Sequence, residues 1–98
     1  MKTSLEEVME TLSKSKRGLF EQYKIRELGI FGSLVRGEER KRSDVDVLVT
    51  FEEIPDLLRF IELERRLQRL LGKKVDLVRK EAIRPVIKER ILREVRYV

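Results

Sequence analysis

Residues 45–49 read Val-Asp-Val-Leu-Val, a β-branched run with a carboxylate set inside it. Nearly continuous apolar character over so few residues is the pattern of a central strand buried on both faces. Such a strand needs neighbours beside it and layers above and below it, so this segment alone points to an α/β arrangement. The carboxylate is the anomaly. Only four Asp occur in the chain, and three of them, Asp44, Asp46 and Asp76, lie in or beside Val/Leu runs, where Asp is normally depleted. The fourteen Glu lie mostly on helical faces and in loops, as solvated charges do.

The rest of the chain supplies the layers. Leu5, Val8, Met9, Leu12, Leu19, Phe20 and Tyr23 recur at three- and four-residue steps and predict a first amphipathic helix, with Thr3 and Ser4 each three residues before a Glu, as in a capping box. Ile25–Phe31 reads as a first strand running into Gly32-Ser33, and Val45 to about Phe51 as a second. Pro55-Asp56 starts a second helix whose Leu57, Phe60, Leu63, Leu67, Leu70 and Leu71 form a stripe opposite Arg59, Glu62, Arg66 and Arg69; Gly72 stops it. Val75–Val78 is a third strand. Ile83, Val86, Ile87, Ile91 and Val95 then repeat at helical spacing, with Pro85 tolerable only in the first turn. With a short helix beginning near Ser33, the expectation is an α/β (α+β) fold, a small three-stranded mixed sheet flanked by about four helices, as one domain over residues 1–98.

Composition narrows the chemistry. The 98 residues contain neither Cys nor His, which removes disulfides, structural zinc and every Ser/His or Cys/His nucleophile. Any catalysis must use carboxylates, cations and a metal. Charged residues reach 42% and apolar residues 41%, enough for a single core. Asn is absent, Gln is limited to Gln22 and Gln68, and Arg and Glu abound, a composition expected of a heat-adapted source. No apolar run approaches the ~18 residues of a membrane span, and glutamates interrupt the first ten residues, so a cytoplasmic protein without membrane contact is expected. The net charge of +5 is uneven: residues 72–98 hold 9 basic and 4 acidic groups, whereas residues 1–71 hold 14 of each. That asymmetry serves either an anionic partner or a solvated basic helix face.

Burying a carboxylate in an apolar strand costs several kcal/mol unless a cation or hydrogen-bond donors compensate, so three such positions suggest a shared ion. Asp44 and Asp46 are two apart in an extended segment, which puts both on one face of the strand. All-oxygen ligation favours Mg²⁺ or Mn²⁺ over zinc. The competing reading has Asp44 as a strand-entry residue bonded by Ser43, with Asp46 and Asp76 paired to nearby Arg or Lys. Upstream, a helix starting near Ser33 would aim backbone N–H groups at an anion. The glycine spacing from Gly32 to Gly37 matches a P-loop, but Glu38 and Glu39 stand where that motif needs Lys and Ser/Thr.

Phe31-Gly32-Ser33, ten residues, then Asp44-Val45-Asp46 between apolar residues resembles the signature of the DNA polymerase β-type nucleotidyltransferase superfamily. Arg36-Gly37, Ser43, the Val45–Val49 strand and Lys74-Val75-Asp76-Leu77-Val78 further resemble its minimal nucleotidyltransferases (MNT), over nearly the whole chain. The resemblance implies that Asp44 and Asp46 bind two Mg²⁺ ions, or Mn²⁺, and that Asp76 completes the metal site beside the acceptor hydroxyl, holding the second ion or acting as general base. It implies that Gly32 and Ser33 contact the β- and γ-phosphates of ATP and that Arg36 is available to neutralise the departing pyrophosphate. Members of this family are often encoded beside a HEPN-domain ribonuclease toxin, and several act as its antitoxin, with a tyrosine hydroxyl of the toxin as acceptor in those members. The chain lacks the second domain of larger members, so acceptor binding is expected to need a partner protein or self-association. Two other readings stay open. One is a contact-only antitoxin. The other is nucleotidyl transfer to an RNA 3′ end through the basic C-terminal segment, in which Tyr97 is the one stacking aromatic.

Overall fold

Apolar residues at three- and four-residue steps fold Leu5–Tyr23 into α1 in the computed structural model, which describes residues 5–38 and 44–98. The expected capping pairs at Thr3 and Ser4, the charged segment 39–42 and Ser43 lie outside the described residues. After α1 come β1 (Ile25–Phe31), β2 (Val45–Phe51), α2 (Leu57–Leu71), β3 (Val75–Arg79), a 3₁₀ turn (Lys80–Ala82), α3 (Pro85–Glu94) and β4 (Arg96–Tyr97). The helix-boundary signals act as expected. The Asp56 side chain accepts from Arg59 N at 2.8 Å and caps α2, Gly72 ends it in the left-handed region at φ 64°, and Pro85 opens α3 where its missing N–H leaves no bond unmade.

The strand order is β3-β2-β1-β4. β2 is central, antiparallel to β1 and parallel to β3, which accounts for its burial on both faces. Alternation along the strands gives the sheet two unlike faces. On one, Leu28, Ile30, Val45, Val47, Val49, Val75 and Leu77 pack with Val8, Leu12 and Leu19 of α1 and Leu63 and Leu67 of α2 into the main core. The other carries Phe31 and Leu48, which meet Ile83 and Ile91 in a smaller cluster beneath α3. Glu64 and Gln68 of α2 reach over the sheet edge and accept from Leu77 N and Val75 N at 3.0 and 3.2 Å, so β3 offers fewer open backbone donors.

Two expectations about element number are corrected. The sheet has four strands, because the expected tail, Arg96–Tyr97, pairs antiparallel with Gly29 and Ile30 of β1. Two residues are too short to show a period-2 pattern. The described helices are three α-helices and the 3₁₀ turn, and the short helix expected near Ser33 is a single turn. Gly32 O accepts from Val35 N at 3.1 Å and from Arg36 N at 3.2 Å, and the turn ends by Gly37 in the left-handed region at φ 72°.

Gly29 is where β4 docks. A Cβ at this position would stand 2.7 Å from Val95 Cγ2 and 3.1 Å from Arg96 O. Gly29→Ala is therefore expected to lower stability by about 1–3 kcal/mol through overpacking, read as a shifted urea midpoint.

Candidate active site

Toward one end of the α3-covered face, polar side chains replace the apolar ones of the smaller cluster. The β2–β3 register pairs Asp46 directly with Asp76, and the β1–β2 register pairs Asp46 with Phe31. Residues opposite one another on neighbouring strands point to the same face, so both carboxylates project beside Leu48 and Val78 rather than into the main core. A cleft of about 380 Å³ opens here, lined by Gly32, Arg36, Asp46, Asp76 and the α3 side chains Ile87, Arg90 and Glu94. Asp44 precedes β2 by one residue, at the point where Val45 N donates to Lys74 O at 2.9 Å and joins β2 to β3.

The electrostatics single out Asp46. Its carboxyl is pushed up from 3.8 to about 6, first by burial, then by the negative charges of Asp76 and Asp44, with Arg36 opposing and Glu94 adding to the rise. Among the described residues no hydrogen-bond donor or cation contacts this carboxylate, so the reading in which Arg or Lys pairs it is not what the structure has. The donor set is all oxygen, which suits a hard divalent ion. Among the described residues no three acidic side chains stand close enough to enclose an ion by themselves. A bound ion would therefore complete its shell with water and ligand oxygens, as Mg²⁺ at phosphate sites commonly does.

Gly32 is held at φ +83°, and a Cβ there would overlap Asp46 Oδ2 and stand 3.0 Å from Asp46 Cγ. Only glycine lets the β1 terminus approach the carboxylate so closely. Ser33 is half-buried in the turn, its carbonyl accepting from Glu38 N at 2.9 Å, and it does not line the cleft.

Arg36 departs from the expected free cation. Its Nη1 donates to both oxygens of Glu94 at 3.1 Å and its Nε to Glu38 Oε1 at 3.2 Å, contacts that hold the guanidinium more firmly charged, Glu94 foremost. Glu94 Oε2 also accepts from Gly32 N at 2.6 Å. Sequence reasoning missed Glu94. The available signal was its position: it follows Ile83, Ile87 and Ile91 at steps of four, four and three, a lone acid continuing the apolar stripe of a basic helix.

Paired carboxylates on neighbouring strands, with a glycine turn against one of them, make this cleft the candidate active site. Residues 12–98 match the family model for the nucleotidyltransferase domain, and the chain belongs to that family of enzymes. It is 54% identical over 95 residues to the protein adenylyltransferase MntA of Thermococcus cleftensis, covering 97% of this chain and 96% of that one. A solved structure provisionally named a minimal nucleotidyltransferase is 36% identical with a TM-score of 0.72, over 90% of this chain and 93% of its own. Within the family this is a minimal nucleotidyltransferase. The fold also matches a Shewanella oneidensis complex of a tri-AMPylated HEPN toxin with an MNT antitoxin, at a TM-score of 0.65 and 21% identity, covering 92% of this chain and 70% of that one. Among the described residues no helix is long and apolar enough to cross a membrane.

Proposed function

We propose that this chain transfers AMP from ATP to a hydroxyl of a partner protein, a tyrosine of a HEPN-domain toxin that it thereby neutralises in the cytoplasm. The observation that carries the reading is the juxtaposition of Asp46 and Asp76 on adjacent parallel strands in an open cleft bounded by Gly32. The Thermococcus cleftensis relative bears the same activity in its name, and the HEPN–MNT complex supports the partner class.

In this reading Asp44, Asp46 and Asp76 hold divalent ions, Mg²⁺ first and Mn²⁺ next, which supply positive charge to the triphosphate. Gly32 meets its β- and γ-phosphates, with Arg36 facing the leaving group; Ser33, which does not line the cleft, joins them only once its turn rotates toward the nucleotide. The acceptor oxygen forms a bond to the α-phosphorus, the bond from that phosphorus to the α–β bridging oxygen breaks, and pyrophosphate departs. The hydroxyl proton passes to a carboxylate, for which Asp76, the more exposed of the β2–β3 pair, is the candidate. An acceptor on another macromolecule fits the site's openness. Arg84 and Arg90 line the cleft without an ion-pair partner among the described residues, and Val86 beside them is 84% exposed.

The test is incubation with labelled ATP, Mg²⁺ and the protein encoded beside this one, followed by intact mass of both. AMP added to the neighbour, and lost in Asp44→Asn, is the expected result. A neighbour that stays unmodified while a labelled RNA 3′ end gains nucleotides would overturn the protein acceptor. Neutralisation of the toxin that persists undiminished in Asp44→Asn would favour action by contact alone.

A further inference from the structure

Two of the groups expected to meet a phosphate, Gly32 N–H and the Arg36 guanidinium, are already occupied from within the chain. Glu94 Oε2 lies 2.6 Å from Gly32 N, and Arg36 Nη1 donates to both Glu94 oxygens at 3.1 Å. The Glu94 side chain is only 14% exposed and lines the same cleft as Asp46 and Asp76. A further acid is electrostatically unwelcome beside two others, and the attraction that offsets this comes from one N–H and one guanidinium. Those are the groups an incoming phosphate oxygen would use. Glu94 is also the last residue of α3, and Val95 beyond it is already extended at φ −60°, ψ 136°. Its side chain can leave the seat by rotating, without unwinding the helix.

We infer that Glu94 is an internal competitor for the phosphate seat: its carboxylate occupies the Gly32 N–H and Arg36 guanidinium until a polyphosphate displaces it. The inference rests on the nucleotidyl-transfer reading and adds a threshold to it. A monoanion is too weak a rival to dislodge a carboxylate held by two donors. A metal-loaded triphosphate brings more charge and more acceptor oxygens, and takes the seat. The site thereby favours polyphosphates over the singly charged anions that would otherwise fill it.

The experiment uses inorganic tripolyphosphate with Mg²⁺ as probe, titrated calorimetrically into the wild-type chain and into Glu94→Gln at fixed ionic strength. The amide keeps an oxygen for Gly32 N–H but gives up the charge. Tripolyphosphate is expected to bind Glu94→Gln about tenfold more tightly, the size of one charge-assisted hydrogen bond no longer competed for. Glu94→Asp, whose carboxylate is one methylene shorter, is expected to bind more tightly as well and replaces Glu94→Gln should that variant melt near the assay temperature. Equal or weaker binding by the variants, with the wild type binding normally, overturns the competitor and makes Glu94 a positioning residue for Arg36. Absence of binding of both tripolyphosphate and ATP to every chain overturns the competitor and the nucleotidyl-transfer reading together.

Discussion

Asp46→Asn is expected to lower nucleotidyl transfer by roughly a hundred- to a thousandfold, the loss typical when positive charge at the transferring phosphoryl group, here a divalent ion that Asp46 would help hold, is weakened, and yet to raise the melting temperature of the metal-free chain. The two effects share a cause. Asp46 is half-buried beside Asp76 and Asp44 with no donor among the described residues, and its carboxyl is pushed up to about 6 by burial and by those two charges. The folded chain therefore holds the Asp46 proton more tightly than the unfolded chain, whose carboxyl titrates near 3.8. Between about pH 4 and 6 the native state binds the additional proton, so stability from this group falls as pH rises through that window and is lowest above it. After screening of a half-exposed group the difference is about 1 kcal/mol, or about 4 °C for a chain of this size. Thermal melts in chelator at pH 4.5 and 7.5 check this. The variant should gain over the wild type at the higher pH and lose that advantage at the lower one. A variant that transfers AMP at the wild-type rate would remove Asp46 from the chemistry.

Gly32→Ala is expected to be nearly as damaging to transfer, at about a hundredfold or more, for a steric reason. The added Cβ overlaps Asp46 Oδ2, so either the carboxylate rotates away or the β1 terminus withdraws from it. Holding alanine at φ +83° also costs about 1–2 kcal/mol of stability. Gly37→Ala is the control. It shares the positive φ, at +72°, but has nothing within 4 Å of its Cβ, so its cost is the backbone strain of about 1 kcal/mol with transfer retained. Paired melts and transfer assays separate the two. Equal activity in both variants would mean that the contact between Gly32 and Asp46 has no part in the reaction.

What could be read from the sequence was what local chemistry controls. Val45–Val49 declared a central strand, and Asp56, Gly72 and Pro85 declared helix ends, because each acts within a few residues of itself. Asp46 and Asp76 were legible because carboxylates are costly in such strands, and the structure brings them together as register partners. The pairing of Glu94 with Gly32 was not. It spans 62 residues and joins a helix end to a strand end, so no periodicity on either side announces it. β4 was missed for a related reason, since its formation depends on Gly29 having no side chain rather than on any pattern in Arg96 and Tyr97.

With Asp46 and Asp76 as the proposed catalytic pair, the parallel register of β2 and β3 turns activity into a reporter of folding fidelity. If β3 slipped by one residue against β2, Val75 or Leu77 would come beside Asp46 and Asp76 would turn toward the main core. A chain in that state would keep its helices and most of its circular dichroism while losing the facing carboxylates altogether. Turnover per molecule therefore counts chains whose strands have found their native alignment, a quantity that bulk spectroscopy on the same sample averages away.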